Sequence, residues 1–103
     1  MMFYRANMVL LLVVLFTASL LYADGDVGYQ EARRLTQSGK IVPLTELLRK
    51  IQAERPGRVI EVELERHGQT FLYEIEILDE QGLVWEYKLD AVNGELLELE
   101  LED

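Results

Sequence analysis

Glutamate recurs at every second position in three stretches: Glu61, Glu63 and Glu65; Glu74 and Glu76; Glu98 and Glu100. Carboxylates at that spacing project from one face of an extended strand. Three kinds of chemistry are open to them there. A pair can divide acid and base roles, a cluster can ligate a hard cation, and a field of negative charge can seat a basic partner. Acid–base catalysis needs surroundings that push two carboxyl pKa values apart, and an open strand face does not provide them. No EF-hand spacing of Asp or Asn with a glycine occurs, so any cation would be held loosely. Three readings of the acidic positions stay open: a solvated face that keeps the protein soluble, a docking face for a basic protein, and a weak site for calcium or a similar ion.

Other reactive groups are scarce. His67 is the single histidine, in a stretch that reads as an exposed turn, and there is no cysteine. Disulfides, thiolate nucleophiles and thiolate metal sites are thereby excluded, and almost nothing is left for zinc. Neither Gly-x-Ser-x-Gly, His-Glu-x-x-His nor a phosphate-cradling glycine loop is present. The expectation is a protein that is not an enzyme and carries no cofactor. With 19 acidic against 10 basic residues and a net charge of -9, it has no basic footprint for nucleic acid.

The charge is unevenly spread. No charged residue occurs between Ala6 and Ala23, and Met8–Phe16 is an apolar run preceded by Arg5. A short positive start, an apolar stretch and a small residue before Asp24 form the pattern of a secretory signal peptide, cleaved after Ala23 or after Ser19. The competing reading is an uncleaved anchor, since an apolar stretch of this length lies at the lower end of what spans a bilayer. Either route carries the remainder across the inner membrane. The expected location is periplasmic, with an inner-membrane anchored form as the alternative. In the remainder, 24–58 holds seven basic and five acidic residues, a net of +2, whereas 59–103 holds two basic and 14 acidic, a net of -12.

The elements that must position these groups follow from periodicity. Tyr29–Gln37 favours a short helix, stopped near Ser38-Gly39. Pro43 suits the first turn of a second helix, in which Leu44, Leu47, Leu48 and Ile51 form one apolar stripe, and Arg55-Pro56-Gly57 ends it. The period then changes to 2. Ile60, Val62 and Leu64 oppose Glu61, Glu63 and Glu65. Phe71, Tyr73, Ile75 and Ile77 oppose Leu72, Glu74, Glu76 and Leu78. Leu83, Trp85, Tyr87 and Leu89 oppose Val84, Glu86, Lys88 and Asp90, and Leu97, Leu99 and Leu101 oppose Leu96, Glu98, Glu100 and Glu102. Turns fall at Arg66–Gln69, Asp79–Gly82 and Ala91–Gly94. The fold class is α+β: one main helix, preceded by a short one, packed on a four-stranded antiparallel meander with a single apolar face. Tyr73, Trp85 and Tyr87 belong to the core and need hydrogen-bond partners there. Lys88 is the one basic residue expected on the outer, acidic face.

Asp90-Ala91-Val92-Asn93-Gly94-Glu95-Leu96-Leu97 resembles the Asp-Ala-x-Thr/Asn-Gly-Glu-Val/Leu-Leu turn of the PepSY domain family. Val62–Glu65, Tyr73–Glu76 and the helix start Pro43-Leu44-x-x-Leu47-Leu48 support the likeness. Physically, Asp90 and Asn93 can satisfy turn backbone groups, Gly94 permits positive φ, and Ala91 completes the structural motif. The resemblance implies an exported, noncatalytic module. In thermolysin-like metallopeptidases such a domain belongs to the propeptide that restrains the enzyme and assists its folding, and free-standing members are proposed to inhibit peptidases or modulate sensors. The implied partner is an envelope protein of one of those kinds. The chain divides into a signal peptide at 1–23, a helical extension at 24–42 and a PepSY-like domain at 43–103.

Overall fold

The computed structural model describes residues 24–102. The expected signal segment, 1–23, lies outside the described residues, as does Asp103. The elements run β1 (Gly25–Asp26), α1 (Tyr29–Gln37), α2 (Leu44–Glu54), β2 (Gly57–His67), β3 (Thr70–Asp79), β4 (Val84–Asp90) and β5 (Leu96–Glu102). The strands form one antiparallel sheet in the order β1-β2-β3-β4-β5. None of the helices among the described residues is long and apolar enough to cross a membrane.

Both helices form where the periodicity puts them. Pro43 sits immediately before α2 rather than within its first turn. Arg55 takes the extended conformation (φ -135°, ψ 90°) that the residue preceding a proline prefers, and α2 stops there. β2 then starts at Gly57, earlier than the alternation suggests. A Cβ at Gly57 would lie 2.3 Å from the Leu78 carbonyl oxygen, so only glycine lets the two strands meet at this corner.

The core consists of the α2 stripe (Leu47 and Ile51) set on Phe71, Tyr73, Ile75 and Ile77 of β3 and Tyr87 and Leu89 of β4, closed by Ile41, Leu64 and Ala91. Ile75 and Ile77 are wholly inaccessible. A helix is about 10 Å across and strands are spaced about 4.8 Å, so one helix covers roughly two strands. The two it covers are β3 and β4. Tyr73, Trp85 and Tyr87 all find polar partners: the Tyr73 hydroxyl donates to the Val42 carbonyl (3.4 Å), Trp85 Nε1 to Asp79 (2.9 Å), and the Tyr87 hydroxyl accepts from Arg55 (3.2 Å).

Several expectations need correction. The sheet has five strands, because Gly25 and Asp26 pair with Arg66 and Glu65 of β2. No alternation of side chains could announce a strand of two residues. In β2 the register shifts between Val59 and Glu61, setting Val59 opposite the buried Ile77 and leaving Ile60 43% exposed. The same bulge places Arg58 opposite Leu78, on the outer face, so Lys88 is not the one basic residue there. The turn after β2 is shorter than expected, and Arg66 belongs to the strand. It faces inward over the Phe71 ring and forms an ion pair with Glu31 of α1. Leu83 lies in the loop before β4, exposed. Leu99 and Leu101 are exposed too, because α2 does not extend over β5, and Leu97 is the bulged residue, so that Leu96 rather than Leu97 stands opposite the inward Leu89.

Candidate functional site

The strand register assembles the glutamates into rows. Glu61 pairs with Glu76, Glu76 with Glu86, and Glu86 with Glu100, so four carboxylates cross four strands with no basic residue between them. The adjacent row runs Glu63, Glu74, Lys88, Glu98. Lys88 Nζ lies 3.3 Å from Glu98 and 3.9 Å from Glu86, so the one cation amid the rows is already engaged. Glu65 stands beyond the rows opposite Leu72, with a carboxylate oxygen 2.9 Å from His67 Nε2. That contact holds the exposed imidazole above its ordinary pKa. All seven glutamates read from the sequence thus share the outer face, and Glu86 joins them.

The crowding is visible in their protonation. A hydrogen bond that the protonated Glu63 carboxyl donates to Glu61 holds Glu63 above the ordinary value, and one with Glu102 does the same for Glu86. Partial burial raises Glu74, with the Glu65 and Glu86 charges adding to it. Glu98 and Glu100 bond to each other, which raises Glu100 and, together with Lys88, lowers Glu98. Like charges opposite one another in a sheet destabilise it. Carboxylate oxygens of Glu76, Glu86 and Glu102 come within 4.8 Å of one another, and so do those of Asp26, Glu63 and Glu65.

The Asp90–Gly94 turn lies at the far end of β4 and is built from within. Asp90 Oδ1 accepts from the Val92 N–H (2.8 Å), Asn93 Oδ1 from the Glu95 N–H (2.8 Å), and the Gly94 N–H donates to the Asp90 carbonyl (2.7 Å). Ala91 is fully buried, donating to the Phe71 carbonyl and accepting from the Val42 N–H. Gly94 has φ +78°, and a Cβ there would stand 3.0 Å from a Leu47 methyl. The turn thereby ties β3, β4 and the lead into α2 together, and Asp90 Oδ1 and Asn93 Oδ1 serve its own backbone.

Two features were not legible in the residue pattern. One is a cleft of about 670 Å³ between α1, the start of α2 and β2, lined by Val27, Ala32, Leu44, Val62, Leu64 and Tyr73 among others. It depends on how far α1 stands from the sheet, which periodicity does not encode. The other is a stacked cluster at the opposite end. The Arg55 guanidinium lies 3.7 Å from the Trp85 ring centroid, and Asp79 accepts from the backbone N–H groups of Gln81 and Leu83 as well as from Trp85. The Leu83 N–H is the main cause of the lowered pKa of Asp79.

The family model of PepSY, described as Peptidase propeptide and YPEB domain, matches residues 41–100. The chain belongs to the PepSY family. Domains of this family are generally noncatalytic, propeptide-like or regulatory modules that interact with peptidases or other partner proteins. No curated protein and no solved structure matches the chain.

Proposed function

We propose that this protein is an exported, noncatalytic PepSY module that acts by binding an envelope protein, either restraining a peptidase or modulating a sensor. The observation that carries this reading is the row Glu61–Glu76–Glu86–Glu100 with its flanking row. A small domain that sets like charges side by side gives up stability, and a basic surface laid over the rows relieves the repulsion. The partner-binding residues on this reading are Glu61, Glu63, Glu65, Glu74, Glu76, Glu98 and Glu100, while Asp90, Ala91, Asn93 and Gly94 are structural. The apolar segment at 8–16 supports export to the periplasm with cleavage, or retention as an inner-membrane anchor. The test is crosslinked affinity capture from periplasm with the wild-type chain beside a Glu61→Gln, Glu74→Gln, Glu76→Gln triple variant. A specific protein, released by moderate salt and lost with the variant, is expected. Repeated capture of nothing, or of the same protein by both chains, counts against the reading.

A second reading rests on the two carboxylate groups Glu76, Glu86, Glu102 and Asp26, Glu63, Glu65. It makes the protein a cation-responsive acidic periplasmic component, in which a divalent ion relieves the repulsion instead. Millimolar calcium would then raise the melting temperature, and no shift across that range removes this reading.

A further inference from the structure

The two edges of the sheet are not equivalent. On one side β1 pairs with the end of β2, the Val27 N–H continues the ladder to Leu64 (2.8 Å), and the bulge at Ile60 breaks the rest of that edge. Bulges and short covering strands are common ways in which proteins blunt an edge. On the other side β5 pairs only with β4 among the described residues. Its single register shift lies at its start, so Glu98 to Glu102 run regularly, with neither proline nor lysine to discourage pairing. All seven residues are exposed, and Leu97 is 56% so. Leu99 lies opposite Tyr87 and Leu101 opposite Trp85, on the inner face of the sheet where the helix does not reach. The edge therefore offers an open backbone ladder, leucines on one side and carboxylates on the other.

We propose that β5 takes up an extended segment of a partner protein as an added strand, and that this segment alternates apolar residues with lysine or arginine. The apolar positions extend the Trp85–Leu101 and Tyr87–Leu99 rows, and the basic positions continue the Glu86–Glu100 and Lys88–Glu98 rows. Strand addition supplies affinity through the backbone and specificity through alternate side chains. A second copy of the chain fits poorly. Because side chains alternate with period 2, an antiparallel β5–β5 register that keeps leucine opposite leucine also sets glutamate opposite glutamate. The proposal rests on the protein-binding reading and adds the β5 edge to the contact made by the adjoining acidic face.

The test uses the full chain and an eight-residue capped peptide of alternating valine and lysine, with a blocked peptide of the same composition as control. Expected are amide hydrogen-exchange protection and chemical-shift changes concentrated in β5. A Leu99→Glu, Leu101→Glu variant should bind roughly tenfold or more weakly, as loss of central interface contacts does. Circular dichroism checks that this variant keeps its fold. Equal binding of the blocked peptide, or shifts confined to Glu61, Glu74 and Glu76, overturns the edge proposal and leaves the protein-binding reading standing. Dimerisation through β5 in sedimentation also overturns it, since the occupant is then a second copy. If the variant captures the periplasmic partner as well as wild type does, the edge is not used. If neither chain captures anything, it is the broader reading that fails.

Discussion

Replacing Glu76 by lysine should make the protein more stable, although nothing in the core is touched. Glu76 stands between Glu61 and Glu86 in the row, with a like charge on each side. Opposed residues in a sheet interact by about 0.2–1 kcal/mol, favourable or unfavourable according to sign. Glu76→Lys turns two repulsive pairs into two attractive ones, a change of about 0.4–2 kcal/mol for each pair and roughly 0.8–4 kcal/mol in all. Salt at 0.1 M screens over about 10 Å, longer than the roughly 5 Å between opposed side chains, so the effect survives ordinary buffers. For a domain of this size 1 kcal/mol is about 4–8 °C, so the melting temperature should rise by at least about 3 °C. Urea unfolding followed by Trp85 fluorescence should show a higher midpoint at unchanged slope, marking a change in stability and not in compactness. Glu76→Gln should give about half the gain, as expected for removing repulsion without adding attraction. Glu80→Lys, in the exposed β3–β4 turn, should fall within about 0.5 kcal/mol of wild type. If Glu76→Lys is neutral or destabilising while Glu80→Lys is silent, the row is not repulsive in solution, and the electrostatic basis of the proposed docking face goes with it.

Other outcomes follow from the same structure. The raised carboxyls of Glu63, Glu74, Glu86 and Glu100 bind protons more tightly folded than unfolded, so stability should increase as pH falls from 7 toward the ordinary glutamate value of about 4.3. Asp79 and Glu98 are shifted down, so what they contribute is lost at still lower pH; urea midpoints should peak in between, and a steady fall from pH 7 to 5 would contradict the assignment. Gly94→Ala forces a side chain into positive φ against Leu47 and should lower stability by about 1–2 kcal/mol or more, read as a lower urea midpoint. Leu47→Ala empties a fully buried position and should lower stability by about 2–5 kcal/mol, measured the same way. Asp79→Ala removes the acceptor of the Trp85 Nε1 proton and should shift the Trp85 emission maximum; an unchanged spectrum means that this bond is not formed in solution.

What could be read from the residues was whatever repeats with a local period or sits in a local turn. The stripe of α2, the alternation of β3 and the Asp90–Gly94 turn are of that kind, because helix and strand geometry place their side chains without reference to anything distant. The family likeness was carried by the same local features, and so was the acidic character of residues 59–103. Tertiary structure decided the remainder. A bulge at Ile60 exchanged Val59 for Ile60 in the core and brought Arg58 to the outer face, because one inserted residue inverts the side on which every earlier side chain falls. Register turned seven scattered glutamates into rows. The width of a single helix decided that β3 and β4 are covered and β5 is not, so leucines whose spacing matched the core ended on an open edge. Alternation alone says that a residue has a side to face. Which sides are covered depends on how many strands one helix can span, and that follows from the assembled fold.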